Sequence, residues 1–178
     1  MGRGERLGRP ARHVDPAGAG GARALSAAIR SAGPDDAETL FRIQKRASQA
    51  ALAHIYPPDR HPFPDDAVRE RWRGFAGAVL LAEDGGEPVG LAGYDGCWLH
   101  GLYVVPERWG GGVAGALHDA VVAALADCPE LHLWVLAGNV RARRFYERRG
   151  WRADGSSRVV EYPPHPIDLG YTLVHEEP

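Results

Sequence analysis

The chain has 178 residues, a formal net charge of −2, 44% hydrophobic residues and 25% charged residues. This length is sufficient for one domain with a proper core, and the near-neutral charge gives no indication of a nucleic-acid surface. No apolar run approaches the roughly 18 residues that cross a bilayer, and no signal peptide is recognisable, so we expect a cytoplasmic protein without membrane contact.

Residues 1–22 are rich in Gly, Arg, Ala and Pro and contain almost no large apolar side chains. Such a segment buries too little surface to offset the entropy of ordering, so we expect a disordered tail. The folded domain is then expected in residues 23–178.

The two cysteines, Cys97 and Cys128, have no metal-ligand spacing. A cytoplasmic compartment keeps thiols reduced, so we expect both to be small core residues with no role as nucleophiles. Two loop histidines, His54 and His61, are not accompanied by carboxylates or cysteines in a tetrahedral ligand pattern, and we expect no metal.

The N-terminal part of the predicted domain reads as a strand followed by a helix. Ala24 to Ser31 predicts the strand, and the sequence GPDD after it breaks the strand. Asp35 followed by Glu38 is a capping pattern, and apolar residues from Leu40 to Ala50 recur at helical spacing.

A proline-rich segment separates this helix from the next. His54 to Pro64 contains four prolines, which remove backbone donors and fix the backbone, so an irregular loop is predicted. Pro64 and the two aspartates after it start a second helix, in which Val68, Trp72 and Phe75 share one face.

Three strands are predicted next. Ala78 to Glu83 and Pro88 to Tyr94 are joined by the sequence DGGE, which is typical of a hairpin. Cys97 to Val105 then follows as a third antiparallel strand.

A glycine turn follows this third strand. Pro106 ends the strand, and Gly110, Gly111 and Gly112 precede a helix whose apolar face contains Val113, Ala114, Leu117, Val121 and Leu125. The free N–H groups at such a turn bind phosphate, although a flexible surface turn has the same composition. The sequence lacks the patterns G-x-x-x-x-G-K-[ST] and G-x-G-x-x-G, which disfavours a nucleoside triphosphatase or a dinucleotide dehydrogenase.

A second strand and helix follow the glycine turn and its helix. Leu131 to Ala137 is another apolar strand, and it leads into a short basic helix that ends at Gly150. The strand before the turn, the helix after it and this strand form a parallel crossover unit.

The stretch from Leu131 to Trp151 resembles the N-x-x-A-x-x-F-Y-E-x-x-G-[FW] signature of the GNAT acyltransferase superfamily, through Asn139, Ala142, Phe145, Tyr146, Glu147, Gly150 and Trp151. The stretch from Trp109 to Ala114 resembles the acyl-CoA pyrophosphate loop of that family, usually [QR]-x-x-G-x-[GA]. The resemblance implies an α/β fold with a mixed, mostly antiparallel sheet, one splayed pair of parallel strands and flanking helices. It also implies two paired terminal strands, expected at Ser157 to Tyr162 and Asp168 to Val174.

The same resemblance implies acetyl-CoA as the co-substrate. Backbone N–H groups of the glycine turn would bind its pyrophosphate, with Trp109 where most members have Gln or Arg and with Arg108 as another source of charge. The strand before the turn would bind the pantetheine arm through its main chain, and a bulge there would free an N–H group for the carbonyl oxygen. The cofactor contacts expected are Leu102, Tyr103, Val104, Arg108, Trp109, Gly110, Gly111, Gly112, Val113, Ala114, Asn139 and Arg143.

Tyr146 is the residue that the resemblance favours as the general acid for the departing thiolate. The competing interpretation treats Phe145 and Tyr146 as a core aromatic pair. His100 is a candidate base because strand alternation places it on the same face as Leu102 and Val104. A hydrogen-bonded core histidine fits that position equally well, and weaker base candidates are Glu147, Asp65, Asp66 and His54.

The function that this resemblance implies is direct transfer of an acetyl group from acetyl-CoA to a primary amine in a ternary complex. The alternative is a GNAT-like module that binds acyl-CoA as a regulatory ligand without turnover. The acceptor is a small molecule or a peptide, and a homodimer is possible for such folds. The acceptor pocket is expected between the loop His54 to Pro64 and the aromatic residues near it, with Asp59, Asp65 and Asp66 as attractors of a cationic amine.

Overall fold

The computed structural model describes residues 27–174, so the expected tail at residues 1–22 lies outside the described residues. The described elements are β1 (Ala28–Ser31), α1 (Ala37–Leu52), α2 (Asp65–Arg73), β2 (Ala78–Asp84), β3 (Glu87–Asp95), β4 (Trp98–Val104), α3 (Val113–Ala124), β5 (Glu130–Leu136), α4 (Val140–Glu147), β6 (Arg152–Val159) and β7 (Ile167–Val174). Short 3₁₀ turns precede α1 and follow β4.

The seven strands form one sheet in the order β1-β2-β3-β4-β5-β7-β6. Neighbouring strands are antiparallel except β4 and β5, which are parallel. The fold class expected from the sequence is therefore confirmed: a mixed, mostly antiparallel sheet contains a single parallel pair.

Helices cover both faces of this sheet. A side chain at Gly90 would contact Leu117 of α3, whereas one at Gly93 would contact Trp72 of α2. Because strand residues of opposite parity face opposite sides, α2 and α3 lie on opposite faces. The largest fully buried side chains come from the central strands and α3, and they include Leu81, Leu91, Leu117, Leu131, Leu133 and Tyr171.

The start of α1 differs from the predicted capping pattern. The Gly33 N–H donates to Asp36 Oδ2 (2.8 Å), and Arg30 donates to both oxygens of Asp36. The bond from Arg30 lowers the pKa of Asp36. Glu38 instead forms an ion pair with Arg69 of α2 (3.1 Å), so its role is to hold two helices together.

β6, the first of the two paired strands at the C-terminal end of the described chain, also differs from the prediction. β6 runs from Arg152 to Val159, whereas the sequence favoured Ser157 to Tyr162. All eight of its residues are exposed, because β6 is the edge strand of the sheet, so no apolar alternation marks its position. Its pairing with β7 is irregular between Ala153 and Ser157, where Gly155 has a φ of 87°.

The expectation of two reduced cysteines is wrong in this structure. Cys97 and Cys128 form a disulfide with a Cα–Cα distance of 5.8 Å. Their separation of 31 residues gave no indication of pairing, which requires the fold to bring the start of β4 next to the loop before β5. The disulfide therefore links the two parallel strands at the end where they are still paired.

A buried histidine network joins α3 to the start of β6. Trp151 Nε1 donates to His118 Nε2 (2.9 Å), and His118 Nδ1 lies 3.0 Å from Asp119 Oδ1. Since an indole N–H only donates, Nε2 must carry a lone pair, and the neutral ring has its proton on Nδ1. Burial lowers the pKa of His118.

Loss of the disulfide should destabilise the fold. We expect a Cys97→Ser/Cys128→Ser variant to lose roughly 2–4 kcal/mol of the free energy of unfolding, because the unfolded chain regains the freedom of the closed loop. Urea unfolding with and without dithiothreitol measures this loss. Reduction should shift the wild-type curve and leave the variant unchanged. An equal curve for oxidised wild type and variant would contradict the expectation.

His118 should make stability depend on pH. The folded-state pKa is depressed, so the unfolded chain binds a proton first as the pH falls below about 6.5. Stability is therefore full above that pH and declines as pH falls toward the folded-state pKa, by at most about 1.4 kcal/mol per pH unit for one group. Urea unfolding at pH 7.5, 6.5 and 5.5 should show a shallower decline for His118→Gln than for wild type, and equal slopes would rule this contribution out.

Candidate active site

A cavity of about 730 Å³ lies beside the gap between β4 and β5. It is lined by both strands and by residues of α1, the loop after it, α2, α4 with its cap, and the segment from β6 to β7. Gly101 and Val135 line it from opposite sides of the gap, and Tyr146 and Asn139 line it from α4 and its cap. Residues of the α4 signature therefore line the cavity, together with Leu102 and Tyr103 of β4, whereas Val104 and residues 108–114 of the glycine turn do not.

The gap has a clear cause in strand pairing. β4 and β5 pair only at Trp98 with His132 and at Leu99 with Leu133. On its other side, β4 pairs Leu99 with Tyr94 and Gly101 with Gly93, which leaves His100 as an extra residue. This bulge bends β4 away from β5, and backbone groups beyond Leu99 are left facing the cavity.

The glycine turn has the backbone geometry that an anion site requires. Gly110 and Gly112 have φ values of 78° and 83°, which side-chain-bearing residues rarely adopt. The first helical bond of the following turn runs from the Ala116 N–H to the Gly112 carbonyl. In the described chain, the amides of Val113 and Ala114 precede that bond and have no main-chain acceptor, at the positive end of a twelve-residue helix.

Trp109 is fixed at the start of this turn. Its Nε1 donates to the Val104 carbonyl at the end of β4 (2.7 Å). The guanidinium of Arg141 lies over the indole, with Cζ 3.8 Å from the ring centroid. Arg141 is an exposed residue in the first turn of α4, and no ion pair joins it to another residue within 27–174.

Arg141 was not among the site residues predicted from the sequence. Its position is one of the unspecified ones in the family signature, and 31 residues separate it from Trp109 along the chain. Arg108 was expected to supply charge, but its Nε donates to Asp84 Oδ2 in the hairpin turn (2.8 Å). A cation close to the expected phosphate position therefore comes from α4.

Tyr146 is both a core aromatic residue and a residue of the cavity wall. Its ring packs edge-on against Phe145 and Trp151, with centroids 5.2 Å and 5.8 Å away, and it is only 8% exposed. It also lines the cavity. Burial, with a smaller contribution from Tyr103, raises the pKa of Tyr146 well above its usual value of about 10. The phenol is therefore protonated at neutral pH.

His100 lines the cavity as the extra residue of the bulge. The bulge interrupts the strict alternation assumed for the strand, so position in sequence does not fix the face of this ring. Its Nε2 lies 2.6 Å from Asp95 Oδ1, and the ring packs edge-on against Phe75. Because a carboxylate only accepts, Nε2 carries a proton, and in the neutral ring the lone pair is on Nδ1.

The weaker base candidates do not line the cavity. Each of them has another partner: Glu147 accepts from the Tyr171 hydroxyl, Asp65 pairs with Lys45, Asp66 pairs with Arg69, and His54 Nε2 lies 3.0 Å from the Gly138 carbonyl.

Two residues of α4 and its cap were expected to contact the cofactor. Asn139 caps the helix, since its Oδ1 accepts from the Ala142 N–H (3.2 Å), and it also lines the cavity. Arg143 does not line the cavity. It donates to the Tyr171 hydroxyl and the Ala137 carbonyl, so it ties α4 to β7 and to the end of β5.

Among residues 27–174, no three His, Cys, Asp or Glu side chains are grouped as metal ligands would be. In the same range, no helix has the length and apolar character needed to cross a bilayer.

A bulged strand, a splayed parallel neighbour, a glycine turn and a buried phenol together define the acyltransferase architecture that the sequence signature indicates. The chain belongs to the Acetyltransferase (GNAT) family, whose sequence profile matches residues 39–151, more than half of its length.

Known proteins similar to this chain are consistent with that assignment. An uncharacterized N-acetyltransferase of Mycobacterium tuberculosis is 38% identical over 106 residues, which span 56% of this chain and 67% of that protein. The solution structure of apo YjaB from Escherichia coli has a TM-score of 0.71 at 23% identity, covering 85% of this chain and 100% of YjaB. PaiA N-acetyltransferase from Thermoplasma acidophilum, solved with coenzyme A, has a TM-score of 0.66 at 17% identity, covering 85% and 100%. At these identities the two solved structures show the shared fold alone.

Proposed function

We propose that the protein is an acetyl-CoA-dependent N-acetyltransferase that moves the acetyl group directly to a primary amine in a ternary complex. The observation that carries this proposal is the protonated phenol of Tyr146 in the cavity at the strand gap. The coenzyme A bound to PaiA, which shares the fold, supports an acyl-CoA donor.

The glycine turn and β4 would hold the donor. Backbone amides of Gly110, Gly112, Val113 and Ala114 would bind the pyrophosphate at the start of α3, whereas the Gly111 N–H donates to the Arg108 carbonyl (3.3 Å). Arg141 would add charge from above Trp109. The pantetheine arm would follow β4 from Val104 toward Leu102, in the space that β5 leaves unpaired. An N–H group near Tyr103 would then bind the thioester carbonyl oxygen.

The reaction requires two proton movements. The amine nitrogen attacks the thioester carbon, and the N–C bond forms as the C–S bond breaks. The amine proton passes to the lone pair on His100 Nδ1, while the Tyr146 hydroxyl gives its proton to the departing sulfur. The proton on His100 then returns to Tyr146 through solvent, so that free coenzyme A and the acetylated amine are the only products.

Replacement of Tyr146 by Phe tests the proposal. The variant keeps the ring that packs on Phe145 and Trp151 and removes only the acid, so we expect kcat to fall roughly 10²- to 10⁴-fold. Thiol release from acetyl-CoA with a panel of amines measures turnover. Calorimetry should show unchanged affinity for coenzyme A. Full activity of the variant would disprove the role of the phenol, and wild type that binds acetyl-CoA without turnover would favour a regulatory module.

Replacement of Arg141 by Ala tests the charge at the phosphate site. We expect the Kd for coenzyme A to rise about tenfold, because a charge-assisted contact to the pyrophosphate is lost. Arg144→Ala is the matched control, since it removes an exposed arginine of the same helix that has no contact with Trp109. Binding of pantetheine, which lacks the pyrophosphate, should be equal in all three proteins. Equal affinities of the two variants for coenzyme A would contradict the assignment.

A further inference from the structure

The cavity beside the strand gap is lined by two arginines and one carboxylate: Arg71 of α2, Arg158 of β6 and Asp168 of β7. Asp168 is 7% exposed, and its Oδ2 accepts from both Nε and Nη2 of Arg158 (3.1 Å and 3.0 Å). These two charges therefore compensate each other. Arg71 forms no ion pair with any residue within 27–174, so the cavity keeps one uncompensated positive charge.

The acidic residues expected to attract a cationic amine lie elsewhere. Asp59 is exposed next to Arg60, Asp65 is bound to Lys45, and none of Asp59, Asp65 and Asp66 lines the cavity. A polyamine or aminoglycoside would bring further positive charges next to Arg71 without a free carboxylate to receive them. The cavity is thus electrostatically suited to an acceptor that carries a negative group.

Arg71 lies close to the reacting centre. Its Nη2 donates to the carbonyl of His100 (3.2 Å), which is the bulge residue at the gap. Nε and Nη1 of Arg71 take part in no hydrogen bond with residues 27–174 and remain available for the two oxygens of a carboxylate. A carboxylate held there can belong to the same acceptor molecule as the amine that faces the thioester, because only a few bonds need to separate the two groups.

The rest of the cavity is apolar and aromatic. Trp98 of β4 and Trp134 of β5 stack with ring centroids 6.1 Å apart, and Arg158 covers Trp134 at 4.5 Å. Tyr56 and Tyr162, from the loops after α1 and β6, pack on each other at 5.9 Å. These rings form walls against which a large apolar side chain is removed from water.

We propose that the acceptor is a free α-amino acid with an aromatic or large aliphatic side chain, and that Arg71 binds its carboxylate while the amine faces the thioester. This inference rests on the proposed acetyl transfer and adds the class of acceptor to it. Arg71 is therefore a specificity-determining residue, whose loss changes the preference between acceptors more than the chemistry itself.

Matched acceptors test this inference. Phenylalanine and phenethylamine differ only in the carboxylate, as do leucine and 3-methylbutylamine, and phenylalanine amide mimics a peptide N-terminus. Thiol release from acetyl-CoA gives kcat/KM for each acceptor. We expect wild type to prefer each amino acid over its amine at least tenfold, with the difference mainly in KM.

Three variants separate the role of Arg71 from a structural one. Arg71→Gln should reduce the ratio of amino acid to amine about tenfold or more, whereas Arg71→Lys should keep part of it because the charge remains. Arg73→Gln, at the exposed end of the same helix, is the matched control and should leave the ratio unchanged. The amino acid and its amine differ in intrinsic reactivity, and this difference cancels when the ratio of their kcat/KM values is compared between proteins. Unchanged affinity for coenzyme A shows that each variant is folded.

Several outcomes would overturn the inference. One is a wild-type preference for phenethylamine or spermidine over phenylalanine. Another is equal use of phenylalanine and its amide. The third is an Arg71→Gln variant in which the ratio of amino acid to amine is unchanged. Absence of turnover with every amine would refute acetyl transfer itself. In that case, calorimetry of phenylalanine and phenethylamine with the coenzyme A-loaded protein still tests Arg71, because tighter binding of phenylalanine must disappear in Arg71→Gln.

Discussion

The rest of the site depends on one missing set of hydrogen bonds, between β4 and β5 beyond Leu99 and Leu133. A parallel pair inside a sheet normally continues its ladder, because unpaired backbone groups are costly to bury. Here the bulge at His100 ends that ladder. The groups it frees face a cavity, where a ligand with amide and carbonyl groups of its own can satisfy them. In the proposed function, the gap is therefore a binding site made by the main chain.

Side chains then adapt this main-chain site to particular partners. Trp109 holds the end of β4 through its indole and supports Arg141, so an aromatic residue and a cation from another helix lie where one polar side chain is usual in the family signature. On the proposed acceptor side, Arg158 neutralises Asp168, and Arg71 keeps a charge without an ion pair among residues 27–174. The general scaffold and the individual specificity thus arise from different parts of the chain.

Patterns in the sequence predicted the hairpin of β2 and β3, the glycine turn with α3, and the α4 signature, because each is a local feature with its own spacing. The contact of Arg141 with Trp109, the pairing of Cys97 with Cys128 and the partners of Arg71 depend on segments that only the folded chain brings together. β6 was misplaced because an exposed edge strand carries no apolar alternation. The sheet face on which His100 lies was not predictable, since the extra residue of a bulge interrupts the alternation of side chains between the two faces.

The disulfide between Cys97 and Cys128 affects how the separation between β4 and β5 can change. It lies at the closed end of the parallel pair, next to the bond from the His132 N–H to the Cys97 carbonyl. A covalent link there fixes the distance between the two strands at that end. If the two strands move apart, their separation increases with distance from the disulfide and is greatest at the end beside the glycine turn. In the proposed function, the donor would therefore enter the gap from that end.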